Sequence, residues 1–129
     1  MHRPPFDQQM VHLSVADLDR AHAFYAGILG LEVVGGRGAC RYYRLGQAAF
    51  LALEAGSPDD RRQRITLLCD RAYDVDAWHD YLRRRGLELP GPPEDDADLH
   101  VRHFTVPDPD GNLVEIRAFL DPGWPKAGR

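Results

Sequence analysis

At 129 residues the chain has the length of one domain, enough to bury a core without disulfide or metal staples. An apolar content of 43% and a net charge of −4 are ordinary for a soluble globular chain, and with no basic excess neither nucleic acid nor an anionic membrane is an expected partner. Cys40 and Cys69 have neither metal spacing nor a framework of pairs, so a reducing, cytoplasmic setting is expected. Met1 to Gln9 is polar, carries Pro4 and Pro5 and has no apolar centre of the kind a secretion signal needs; no later run approaches membrane-spanning length.

From residue 10 the apolar Val11, Leu13 and Val15 alternate with Met10, His12 and Ser14, which predicts a strand with one oily and one mixed face. Asp17 then has the place of a helix N-cap, with Asp19 in the first turn. The helix carries Leu18, Ala21, Phe24 or Tyr25, and Ile28 along one stripe, and Gly30 stops it. Leu31 to Val34 read as a second strand, broken by Gly35, Gly36 and Gly38. Cys40 to Leu45 and Ala49 to Leu53 follow as a hairpin turning at Gly46-Gln47.

A polar connector, residues 56–62, precedes a second pass through the same pattern. Ile65, Leu67 and Cys69 alternate with Arg64, Thr66 and Leu68; Val75, Trp78 and Leu82 have helical spacing; and Gly86-Leu87-Glu88 repeats Gly30-Leu31-Glu32. The Arg83 to Arg85 run closes the helix, where cations suit its dipole. Gly91 to Asp98 reads as a second, proline-rich connector. Val101 to Val106 and Leu113 to Phe119 then form a hairpin around Asp108-Pro109-Asp110-Gly111, in which Pro109 presets one turn dihedral and Gly111 supplies a left-handed position.

In that last strand Val114, Ile116 and Ala118 share one side, and Leu113, Glu115 and Arg117 the other. Glu115 is therefore a mid-strand carboxylate that needs a partner. The two passes predict an α+β fold with modules at about 9–55 and 63–120 and a tail at 121–129. Helices would lie outside, with the mixed faces turned into a cleft lined by Met10, His12, Ser14, Arg64, Thr66, His103, Thr105 and Glu115. Trp78, Phe24 and Tyr25 read as core, Cys40 and Cys69 as small buried residues, and His22 and His79 as packing or solvated residues on helices.

The stretches H-L-S-V-A-D-L-D-R-A-H-A-F-Y-A-G-I-L-G-L-E (His12 to Glu32) and D-P-D-G-N-L-V-E-I (Asp108 to Ile116) resemble the vicinal oxygen chelate superfamily, which includes glyoxalase I, fosfomycin-resistance transferases, extradiol dioxygenases and bleomycin-binding proteins. The resemblance implies a single domain of two βαβββ modules in an incomplete eight-stranded barrel around a cleft, within a homodimer. Metal-using members take a histidine on the first strand, a histidine or glutamate opening the second module, and a glutamate on the last strand. Glu115 matches the last position, whereas the other two fall on Met10 and Arg64, and the additional carboxylate of glyoxalase I falls near Ala52. Arginine cannot ligate a cation, and a thioether is a soft donor.

These substitutions favour a metal-free protein that binds a small organic guest, anionic or antibiotic-like, with no cofactor and with an Arg64–Glu115 ion pair in the usual cation seat; Arg117 is the other candidate partner of Glu115. His103 and Thr105 align with substrate-contacting positions of the fosfomycin transferases. The alternative is a lyase, dioxygenase or transferase in which Glu115, His12 and His103 hold Fe, Mn, Ni or Zn as a Lewis acid. Metal-free general-base chemistry at His12 or His103 is a third possibility.

Overall fold

The structure is a computed structural model, and it describes residues 3–56 and 63–125. Most of the expected connector (residues 57–62) and the end of the tail (residues 126–129) lie outside the described residues. The chain divides into two compact units, residues 1–61 and 62–129.

In the first unit β1 (Gln9–Val15) leads to α1 (Leu18–His22), and a π-helical turn (Ala23–Ile28) continues it. Three strands follow, β2 (Glu32–Arg37), β3 (Cys40–Gly46) and β4 (Ala49–Ala55). The sheet order is β1-β4-β3-β2, with β1 and β4 parallel and the other neighbours antiparallel. Asp17 caps α1 as its position predicts, its Oδ1 accepting from the Asp19 and Arg20 amides at 2.9 and 3.1 Å. The π-helical turn is where simple periodicity fails. Its wider winding buries Phe24 and Tyr25 together and brings in Leu29, while Ile28 stays only half-buried. Leu13, Val15, Tyr43, Leu51 and Leu53 complete this core.

Gly35 and Gly36 do not break the second strand. Pairing runs through them from Glu32 to Arg37, with a register shift between Val33 and Gly35 that absorbs the irregularity as a bulge.

The second unit repeats the plan. β5 (Arg64–Leu68), α2 (Ala72–Arg84), β6 (Glu94–Asp96), β7 (Val101–Pro107) and β8 (Leu113–Phe119) give the sheet order β5-β8-β7-β6, with β5 and β8 parallel. Val75 and Leu82 of α2 are fully buried, and so are Val114 and Ala118 of β8. The unit's second strand in chain order lies elsewhere than the Gly86-Leu87-Glu88 repeat suggests. Leu87 and Glu88 form no strand, and β6 instead sits inside the supposed connector, where Asp95 and Asp96 pair with Arg102 and Val101. Three polar residues carry no alternating signal, so only the partner strand defines this edge.

The β7–β8 hairpin is closed by its own turn. Asp108 Oδ1 accepts from the amides of Asp110 (2.9 Å) and Asn112 (2.8 Å), and the Asn112 side-chain amide donates to Asp108 Oδ2 at 3.1 Å. Asn112 Oδ1 in turn accepts from the Gln63 amide at 3.4 Å, tying the entry of β5 to the turn. Gly111 occupies the left-handed region at φ 84°, and a Cβ there would meet nothing within 4 Å. Space is open, so the requirement for glycine is purely one of backbone conformation. Gly111→Ala should therefore cost about 1–2 kcal/mol in denaturant unfolding, and Gly111→Asn distinctly less because asparagine tolerates that region. Equal costs for the two would place the constraint in packing instead.

Candidate functional site

Strand register decides which side chains can meet. In β8, Glu115 lies opposite Thr66 of parallel β5 on one side and Thr105 of antiparallel β7 on the other, while Arg117 lies opposite His103. All five side chains therefore share the sheet face turned away from α2.

The centre of this face is the Glu115 carboxylate, fully buried. Oε1 accepts from the Thr66 hydroxyl at 2.7 Å. Oε2 takes His103 Nδ1 at 2.8 Å and the Arg117 guanidinium twice, from Nη2 at 3.0 Å and Nε at 3.2 Å. An ionised carboxylate only accepts, so His103 carries its proton on Nδ1 in this contact. Burial works against ionisation of Glu115 and is the largest single influence, but the bonds from Thr66, Arg117 and His103, together with the Arg117 charge, outweigh it and hold the carboxyl below its ordinary range.

The expected Arg64–Glu115 ion pair is not formed; the guanidinium on Glu115 belongs to Arg117. Arg64 shares the face but stands opposite Leu113, one register step away, and is exposed. Arg117 wins because it is two residues along the same strand and needs no reach across the sheet. That i, i+2 spacing was the signal available in the sequence for this missing member of the candidate set.

Thr66, His103 and Glu115 are thus brought together, with Thr105 adjoining. Beside His103 and Thr105 the surface dips into a recess of about 200 Å³ bounded by Pro90, Gly91, Pro92 and Glu94. Such a volume is below that of a whole drug-sized site, and it suits one substituent of a guest. His79 supports the recess from behind, its Nε2 on the Gly91 carbonyl at 3.0 Å and its ring edge-on to Phe104.

Met10 and His12 belong to the first unit. Met10 is paired with Phe50 and largely exposed, and His12 Nδ1 bonds Glu54 Oε1 at 2.9 Å in the open. Ala52, at the position of the additional carboxylate, is fully buried. Among the described residues no three His, Cys, Asp or Glu side chains are grouped so as to hold a metal ion. The donor chemistry agrees. The carboxylate a cation would need already receives four donor contacts, and one donor is a fixed positive charge at 3.0 Å. The residues present do not fit a divalent ion at Glu115.

The family model of the Glyoxalase/Bleomycin resistance protein/Dioxygenase superfamily matches residues 8–116. The chain belongs to this superfamily. Several solved structures share the fold of this glyoxalase-superfamily chain. A glyoxalase/bleomycin resistance protein/dioxygenase from Nocardioides is 24% identical with a TM-score of 0.75, the match covering 98% of this chain and 91% of that one. A lactoylglutathione lyase from Agrobacterium tumefaciens is 20% identical with a TM-score of 0.79, covering 95% and 100%. A glyoxalase-related enzyme from Fulvimarina pelagi is 21% identical with a TM-score of 0.71, covering 93% and 91%. No curated protein matches the chain. At these identities the likeness establishes the α+β fold of two βαβββ modules and leaves the chemistry to the site itself.

A carboxyl whose folded pKa is depressed stabilises the fold above its unfolded value, and that contribution is lost as pH falls through the folded one. For Glu115 the loss should begin below about pH 4.3, the ordinary glutamate value. Denaturant midpoints measured between pH 7 and pH 3 should fall more steeply for the natural protein than for Glu115→Gln. Parallel curves would mean that the Thr66, His103 and Arg117 contacts do not favour the ionised form.

Proposed function

We propose that this chain is a small-molecule-binding member of the glyoxalase/bleomycin-resistance/dioxygenase superfamily that works without a metal at Glu115, using the polar face of the β5-β8-β7-β6 sheet to hold a small organic anion. The observation that carries this reading is the saturation of the Glu115 carboxylate by protein donors. In this role Glu115 is a fixed counter-ion that orients two cationic or donor groups toward a guest.

The guest's chemistry follows from what the network leaves over. Arg117 engages Glu115 through Nε and Nη2, so Nη1 is left for an external acceptor; His103 donates to it through Nδ1, so Nε2 of the neutral ring is left to accept from a hydroxyl or amine of the guest. With the Glu115 charge balanced by Arg117, Arg64 leaves the β5 side of this face cationic, while Glu94 at the opposite, β6 edge makes the recess anionic. A carboxylate or phosphonate on a compact organic body matches the Arg64–Arg117 side, with one uncharged or hydroxyl-bearing substituent in the recess beside His103 and Thr105. An antibiotic-like molecule with such a group belongs to the same class. The superfamily resemblance supports a homodimer, and the reducing setting suggested by two free cysteines supports a cytoplasmic location. No helix among the described residues is long and apolar enough to cross a membrane.

The reading in which Glu115, His12 and His103 hold Fe, Mn, Ni or Zn for a lyase, dioxygenase or transferase reaction is disfavoured by the Arg117 guanidinium on Glu115 and by the engagement of His12 with Glu54.

Calorimetric titration of the purified protein with a panel of small aromatic and aliphatic carboxylates and phosphonates tests the proposal. Binding should be unchanged by EDTA, and Arg117→Ala should weaken it by roughly tenfold, the loss of one charge-assisted hydrogen bond, while His103→Ala should weaken only guests that carry a hydroxyl or amine donor. A stoichiometric divalent ion in the purified protein that disappears with Glu115→Gln, together with binding abolished by EDTA, would overturn it.

A further inference from the structure

The outward side of α2 holds a second recess, remote in character from the Glu115 network. Asp74, Ala77, Trp78 and Tyr81 recur at i, i+3, i+4 and i+7, a stripe beside the buried Val75 and Leu82 face, and with Leu68 and Cys69 at the end of β5 they line a recess of about 500 Å³. This volume lies within the range that encloses a small organic molecule. Trp78 was expected in the core; it is only half-buried, because its ring meets Tyr81 edge-on with centroids 5.4 Å apart and the pair forms a wall of the recess. Leu68 and Tyr81 are both exposed large apolar side chains.

The recess has one charged group, and it is negative. Asp74 Oδ2 accepts from the Arg71 amide at 3.2 Å as part of the helix cap, while Oδ1 has no hydrogen-bond partner among the described residues. No lysine or arginine lines the space. The Cys69 thiol is pushed up to about 11 by burial and, secondarily, by the Asp74 charge, so it stays neutral and the Asp74 field reaches into the recess. The rings of this helix already receive cations from the chain itself, with the Arg85 guanidinium 5.5 Å from the Tyr81 ring centre and Arg71 the same distance from Tyr73.

From the juxtaposition of an aromatic wall, an apolar floor and a lone half-free carboxylate, we infer that this recess is a binding site for a small organic cation, an ammonium or quaternary ammonium group carried on an apolar body. The ammonium sits between Asp74 and the Trp78 ring, since the Tyr81 ring already receives Arg85, and the body covers Leu68, Ala77 and the Tyr81 edge of the wall. The inference is independent of the role proposed for Glu115.

Benzyltrimethylammonium is a suitable probe, followed by the fluorescence of Trp78 in a Trp124→Phe protein that retains Trp78 as its one tryptophan. A saturable change in the millimolar range is expected. Asp74→Asn, which keeps a capping side chain, should weaken binding roughly five- to tenfold, as should replacing the probe by its uncharged tert-butyl counterpart. Ala77→Leu, at an exposed helix position, should block binding by filling the recess without altering charge or adding a second tryptophan. Glu115→Gln should leave it intact. Absence of saturation, equal affinity for the uncharged counterpart, or indifference to both Asp74→Asn and Ala77→Leu in proteins whose circular dichroism and melting are unchanged would overturn the assignment.

Discussion

Everything about the second unit's polar face depends on keeping one carboxylate ionised where water is excluded. An unpaired buried charge would cost several kcal/mol, so Glu115 is tolerable only with donors from both neighbouring strands and its own. Thr66 comes from β5, His103 from β7 and Arg117 from β8, which means that sheet register and the site's electrostatics are one constraint. A one-residue slip of either neighbour would turn its donor to the α2 side and leave the buried carboxylate with Arg117 and one cross-strand donor fewer. The ionic cluster thus selects register as well as local structure.

The same arrangement sets the donor chemistry around Glu115 apart from that of a divalent-ion site. A glutamate on the last strand is the superfamily's cation-facing position, and here the identical residue is turned to organising protein donors. The decisive change lies in the companions of the carboxylate, chiefly Arg117, together with arginine and methionine at positions 64 and 10. An imidazole held through Nδ1 and a guanidinium held through two nitrogens have their ring and fork planes fixed by Glu115, which is preorganisation of the donor set.

Much of this was legible in the residues. Period-two alternation located β1, β5, β7 and β8 to within a residue or two, Asp17 marked the start of α1, and the D-P-D-G-N run announced the hairpin and hence which face Glu115 shares. Those features are local, so sequence encodes them directly. The failures are of a different kind. β6 exists only because β7 pairs with it, the β2 bulge depends on two glycines being tolerated by an edge, and the π-helical turn answers to how much of Phe24 and Tyr25 the sheet can bury. At the site, the sequence favours Arg64 over Arg117 as the partner of Glu115, and the structure reverses that choice. Reach decided between them, and reach is a three-dimensional quantity.

The separations along the chain within the Glu115 cluster also imply an order of events in folding. Arg117 and His103 are 2 and 12 residues from Glu115, whereas Thr66 is 49 residues away. Loop-closure entropy makes the hairpin the earlier contact and the parallel strand the later one. On that order the carboxylate meets Arg117 and the His103 donor before the Thr66 donor of β5 arrives. Dehydration of a lone charge, which would be a barrier of several kcal/mol, is never on the route.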